Sequence, residues 1–305
     1  AHLLLEPLSD PSWLRQADAI RGRRLGGAVL TVLDGNGGGC SGALLDGDAA
    51  TGQWVMWNDR ATTPSATALS AAVKSAQRTG HPVLEPLPDD HARIFVDPII
   101  APIALHVIGA GRGAESFADI ATALGWDVTV IDHRPAVLAD LRLPSSVRTR
   151  VARADDPDAV AEVLRSMPLD SRSAVALLSH AFEVDAAWLT ALLPLPVAYV
   201  GVLGSRQRAA QLLAAVHARS SELGVPVSDK MRRRLYAPIG LDLGGESPPS
   251  IALAAIAEIE AVVHGRPAGF LRERHSPIHA RTPTPAVLPL EPHGPTTPAT
   301  PDQPR

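Results

Sequence analysis

The sequence predicts an α/β protein: a Rossmann-like, doubly wound parallel sheet preceded by a smaller α+β domain. Short apolar runs alternate with helical patterns from residue 101 to residue 265, the mark of repeated strand–helix–strand units. The run at 103–108 is apolar, as expected of a strand covered on both faces. Aromatics make up 4% of the 305 residues against 46% for the whole hydrophobic set. The core is therefore built mainly from Ala, Val, Leu and Ile, which suits helices packed on a buried sheet.

The chain divides into residues 1–100, a mixed first domain; 101–280, the doubly wound domain; and 281–305, which holds eight prolines and reads as a disordered tail. In the first domain, residues 11–20 carry helical signal, 28–33 an apolar strand, 35–42 a glycine cluster, 53–57 a second strand and 66–78 a helix of small residues. In the second, residues 103–108 form a strand that runs into Gly109, followed by a helix to Leu124 and a stop at Gly125. The next strand, 127–131, ends on Asp132. Asp155 and Asp156 before Pro157 mark a helix start. Strands at 174–178 and 197–203 follow, then a helix from Arg206 to about Leu223, a basic helical segment from Ser228, and a last helix capped by Ser247 that runs to about Val263. At least four or five strands are expected in this sheet.

Composition narrows the function. With 28 Lys and Arg against 32 Asp and Glu, the formal net charge is −4, which leaves no basic surplus for general nucleic-acid binding. A single cysteine, Cys40, rules out an internal disulfide framework. No apolar run approaches the length of a membrane span, and residues 1–8 lack a positive export region; a cytoplasmic protein is expected. The eleven histidines fall in no zinc-binding pattern, and neither a nucleophile elbow nor a P-loop is present.

In a doubly wound sheet, ligands bind beyond the carboxyl ends of the strands. The loop Gly109-Ala110-Gly111-Arg112-Gly113-Ala114 fits the G-x-G-x-x-A form of the dinucleotide fingerprint. Its glycines permit a tight turn and close approach to a phosphate, and the next helix offers free amides and a partial positive end. Asp132 lies 21 residues beyond Gly111, where a ribose hydroxyl acceptor belongs. The alternative is a packing turn, with Asp132 capping it. His180, after the 174–178 strand, suits a ligand contact or acid/base role near neutral pH, or is satisfied by neighbouring backbone. Gly204-Ser205-Arg206 offers a second phosphate-suited turn, or an ordinary cap. Residues 238–245 read as a shaped loop over the sheet edge, with Asp242 as an acceptor. Cys40 is either a thiol exposed enough to react or bind a metal, or a small buried hydrophobe.

Read together, five blocks resemble the XdhC/CoxI family: HVIGAG at 106–111, VTVIDHRP at 128–135, Ser179-His180 with Asp185 downstream, YVGVLGSR at 199–206 and PIGLDLG at 238–244, with PIH at 277–279 resembling the family's carboxyl end. The resemblance implies an accessory protein, a chaperone without turnover of its own. It would bind a molybdopterin-type molybdenum cofactor, bare or dinucleotide, assist its sulfuration with a cysteine desulfurase, and insert it into an apo molybdenum hydroxylase of the xanthine dehydrogenase or carbon monoxide dehydrogenase type. It also implies a homodimer. Gly109, Gly111, Arg112, Ala114, Asp132, His180, Gly204, Ser205, Arg206 and Asp242 would line the cofactor crevice, and Cys40 would touch metal or sulfur. The amino-terminal domain diverges from the family: the strand at 28–33 runs into the glycine cluster with no G-S-x-P-R block. The alternatives are an NAD(P)-dependent oxidoreductase, which the fingerprint and Asp132 suit equally, and a regulatory nucleotide-binding module.

Overall fold

A computed structural model describes residues 12–24, 26–33, 40–46, 53–56, 66–86, 93–153, 157–222, 224 and 227–275. The expected tail at 281–305, the PIH block, the acidic pair before Pro157, most of the glycine cluster and the side chain of Cys40 lie outside the described residues.

The first hundred residues contribute α1 (Ser12–Arg23), β1 (Gly27–Leu33), β2 (Cys40–Asp46), β3 (Gln53–Met56), α2 (Ala66–Thr79), β4 (Val83–Pro86) and β5 (Arg93–Ile99). The strands pair antiparallel in the order β3-β2-β1-β5-β4. One face is covered: Ile94 and Val96 point inward with Ala28, Leu30, Leu45 and Ala72, Val73 and Ala76 of α2, while Arg93, Phe95 and Asp97 alternate outward. Cys40 opens β2 opposite Leu33, so the glycine cluster yields to a strand at its carboxyl end.

The second region holds β6 (Ala104–Ile108), α3 (Ala114–Ala123), β7 (Asp127–Asp132), α4 (Pro135–Asp140), β8 (Arg148–Val151), α5 (Pro157–Arg165), β9 (Ser173–Leu177), α6 (Phe182–Leu192), β10 (Tyr199–Val202), α7 (Arg206–Glu222), α8 (Asp229–Arg232), β11 (Leu235–Tyr236) and α9 (Pro248–Val263). Six strands, in line with the expected minimum of four or five, form an all-parallel sheet in the order β11-β10-β9-β6-β7-β8. The chain winds outward from β6 to β8 and then returns to β9 on the other side of β6, so the switch in direction falls between β6 and β9. Alternate residues feed two cores. Leu105, Val107, Val128, Val130, Ala174 and Ala176 meet α3 and α9. Ile108, Ile131, Val175, Leu177, Val200 and Val202 meet residues of α5, α6 and α7, including Val160, Trp188 and Leu212. Ala114, Ala118 and Ala121 of α3 share the first core with Ala252 and Ala255 of α9, small residues that let the two helices approach closely.

The two sheets are tied at the amino edge of the parallel one. Arg24 places Nε and a terminal nitrogen on the two Asp170 oxygens at 3.0 and 2.9 Å, and its other nitrogen on the Pro102 carbonyl at 2.7 Å. Pro102 and Asp170 precede β6 and β9, so this anchor lies at the end of the strands opposite the ligand-binding loops.

Candidate functional site

β6 and β7 end side by side, and their terminal residues build the site. Gly109 follows β6 at φ +109°, in the region that favours glycine. A Cβ there would lie 2.8 Å from the Ser179 amide nitrogen, so glycine is required by contact as well as by torsion. Gly111 differs: a Cβ built on it meets nothing within 4 Å, and the space above the loop is open. The amides of Gly111, Arg112 and Gly113 find no hydrogen-bond acceptor among the described residues. Arg112 is exposed on the same loop, and Ala114 is fully buried where α3 begins.

Asp132 ends β7 with its carboxylate almost wholly buried. Oδ2 accepts the Ala110 amide at 2.7 Å and a terminal nitrogen of Arg134 at 2.9 Å; Oδ1 accepts the Arg134 amide and Nε, both at 2.9 Å. His133 Nδ1 stands 3.3 Å from Oδ1. Burial raises the Asp132 pKa, but the Arg134 side chain and the two amides outweigh it and hold the group well below the usual carboxylate range. The acid is thus ionised and already spoken for.

A cavity of about 160 Å³ sits at this edge, lined by Ile108, Gly109, Ile131, Asp132, His133, Arg134, Ala152, Ser179, Ala181, Val184 and Trp188. Its apolar residues come from strand ends and α6, and its polar rim from the loops after β6, β7 and β9. The volume is below the roughly 300–1,000 Å³ of a complete ligand pocket, and Gly111 does not line it.

The other candidates lie around this centre. His180 is exposed at φ +59°, and the cavity lining does not include it. Its neighbour Ser179 donates to Asp185 Oδ1 at 2.5 Å, and Asp185 Oδ2 accepts from Arg208 at 2.8 Å. Asp185 is completely buried, so this chain fixes the loop after β9 against α6 and α7. Gly204, Ser205 and Arg206 are all exposed after β10. Ser205 Oγ accepts the Arg208 amide at 3.2 Å, as a capping hydroxyl does. Asp242 is exposed in a loop that folds back on α9, where Gly240 donates to Glu258 Oε2 at 2.9 Å and Leu241 to the Ala254 carbonyl at 3.1 Å. Gly109 and Asp132 share the cavity; His180, Gly204, Ser205, Arg206 and Asp242 stand outside its lining.

Sequence reasoning missed Arg134, Ala110 and Arg208 as working residues. Arg134 could have been found from an acid and a guanidinium two residues apart at a strand end. Arg208 could not be separated from Arg206, because residues two apart on a helix point in nearly opposite directions. Among the described residues, no group of three or more His, Cys, Asp or Glu could hold a metal ion, and no helix is long and apolar enough to cross a membrane.

A family model described as the XdhC Rossmann domain matches residues 105–259. The chain is 30% identical over 174 residues to protein YqeB of Escherichia coli (strain K12), a match covering 57% of this chain and 30% of that protein. It is 28% identical over 189 residues to a Bacillus subtilis (strain 168) protein described as a probable xanthine dehydrogenase subunit, covering 62% of this chain and 52% of the relative. It therefore spans about a third to a half of these curated relatives. The crystal structure of a xanthine dehydrogenase from Bacillus halodurans superposes with a TM-score of 0.61 at 20% identity, over 86% of this chain and 67% of that one; this likeness establishes the fold.

Proposed function

The chain belongs to the XdhC family, and on that premise we propose that it is an accessory protein that binds the molybdenum cofactor as cargo and assists its sulfuration and insertion into a molybdenum hydroxylase. The Bacillus subtilis relative, described as part of a xanthine dehydrogenase, supports a client of that class. The observation that carries the reading is the open loop at Gly111, where a Cβ would meet nothing within 4 Å and three amides have no acceptor among the described residues.

An anionic pterin fits this arrangement. The amides and the amino end of α3 favour a phosphate, and Arg112 adds a charge that requires no burial. The cavity bounded by Ile108, Ile131 and Trp188 offers an apolar wall to a flat ring. The bound cargo would supply the metal and sulfur chemistry; the chain's own residues hold, orient and shield it. A cysteine desulfurase is the proposed sulfur source, acting on the held cargo.

The test is uptake. The protein mixed with free molybdopterin cofactor and passed through gel filtration should retain about one cofactor per chain, by metal analysis and pterin fluorescence. An absence of retained pterin at micromolar protein overturns the reading.

A further inference from the structure

We propose that Arg134 determines what this crevice recognises: laid across Asp132, it withdraws the acceptor a ribose diol would need and puts outward N–H donors in its place, so the corner after β7 selects a phosphomonoester. The inference rests on reading the crevice as an anion site, and not on which cargo it carries.

Asp132 offers about four acceptor positions, and four donors reach it: the Ala110 amide, the Arg134 amide and two nitrogens of the Arg134 side chain. The carboxylate side chain is 2% exposed, so no oxygen is presented to an arriving hydroxyl. In dinucleotide folds an acid at this position accepts from the ribose 2′-hydroxyl, whereas a nearby arginine accommodates a 2′-phosphate. Here both residue types are present and locked together, and the lock decides between them.

Arg134 remains available while it holds Asp132. Its side chain is 51% exposed, and Nε and one terminal N–H engage the acid, leaving three of its five N–H groups for an outside acceptor. His133, 52% exposed with Nδ1 turned toward Asp132, directs its other nitrogen away from the acid. Both line the cavity with Gly109. The Asp132–Arg134 pair is formally neutral, so a phosphate is held here by directed hydrogen bonds, and Arg112 on the adjoining loop supplies net charge.

NAD and NADP differ only by the 2′-phosphate and are the decisive probes, measured by titration calorimetry on the full chain. The intact protein should bind NADP at least tenfold more tightly than NAD. Arg134→Ala should erase that preference by losing NADP affinity and gaining NAD affinity at least tenfold, and adding Asp132→Asn should abolish the NAD gain. Arg134→Lys, which keeps a cation without the fork, should retain a smaller preference, and thermal melts confirm that each variant folds. Equal affinities in the intact protein, no NADP binding at millimolar concentration, or a ratio unmoved by Arg134→Ala overturns the proposal. Molybdopterin uptake tells the two phosphate sources apart: a tenfold loss in Arg134→Ala assigns the pterin phosphate to the same corner, and unchanged uptake overturns that assignment. Failure of the intact protein to take up molybdopterin sinks the maturation reading alone, and the NADP/NAD ratio still judges Arg134.

Discussion

Arg24 and Asp170, 146 residues apart in sequence, meet fork to fork through two hydrogen bonds of 3.0 and 2.9 Å. The arginine side chain is 6% exposed and the aspartate 34%. Removing one partner of a wholly buried pair costs about 3–5 kcal/mol; with the acid one-third open to water, Arg24→Ala should cost about 2–3 kcal/mol. Urea unfolding measures it, and a loss below about 1 kcal/mol would deny the anchor its importance. Burial raises the Asp170 pKa, and the Arg24 bonds with other donors reverse this and lower it. The contribution is therefore complete above the ordinary carboxylate range and is lost as the pH falls from there through the lowered folded-state value.

His106 in β6 is buried, and neither ring nitrogen has a hydrogen-bond partner among the described residues. Burial, then Arg24 and Arg148, push its pKa from 6.5 to about 4. The folded state keeps the ring neutral where the unfolded chain takes up a proton, so stability is complete above pH 6.5 and falls by about 3 kcal/mol on acidification to pH 4. His106→Leu should remove that part of the pH dependence. Denaturant midpoints across pH 4–7 compare the two, and parallel curves would refute the assignment.

Asp185→Ala should be among the most damaging substitutions near the site. It leaves the Ser179 hydroxyl only the backbone of Ala181 and the Arg208 guanidinium only a long contact of 3.5 Å to the Leu203 carbonyl, and one nitrogen of that guanidinium is already buried without a partner among the described residues. The expected loss is about 3–5 kcal/mol, with Asp185→Asn milder; calorimetric melts check both, and the two variants melting alike would argue against a charge-dependent role.

Gly109 and Gly111 should respond oppositely. Gly109→Ala forces a Cβ into main chain at 2.8–2.9 Å and should destabilise by more than the ~1 kcal/mol of backbone torsion alone. Gly111→Asp places its side chain in open space, so stability should hold within about 0.5 kcal/mol. Anion binding should fall at least tenfold through like-charge repulsion. Unfolding and pterin-retention assays on the same preparations separate the two effects, and unchanged retention in Gly111→Asp would remove that loop from the site.

What could be read from sequence follows burial. β6, β7, β9 and β10 are buried nearly throughout, which makes them mostly apolar runs. β8, with sequence RTRV, is mostly exposed at the sheet edge, and β11 has two residues; neither has a pattern to detect. β5 alternates in and out but carries Asp97 and Pro98, which disguise it. The fingerprint glycines and Asp132 were legible because their spacing encodes a turn and a strand end. The Arg134 clamp was legible only as an acid and a guanidinium two residues apart at a strand end; that the two side chains meet depends on tertiary contacts such as the Ala110 amide on Asp132.

Gly109 leaves no room for a single carbon between itself and Ser179, and the Leu178 amide is bonded to the Ile108 carbonyl at 2.7 Å. The two lips of the crevice are therefore riveted: neither can be drawn aside without dragging the other. A cargo of the kind proposed would meet an aperture of preset width, chosen by shape before any charge is felt.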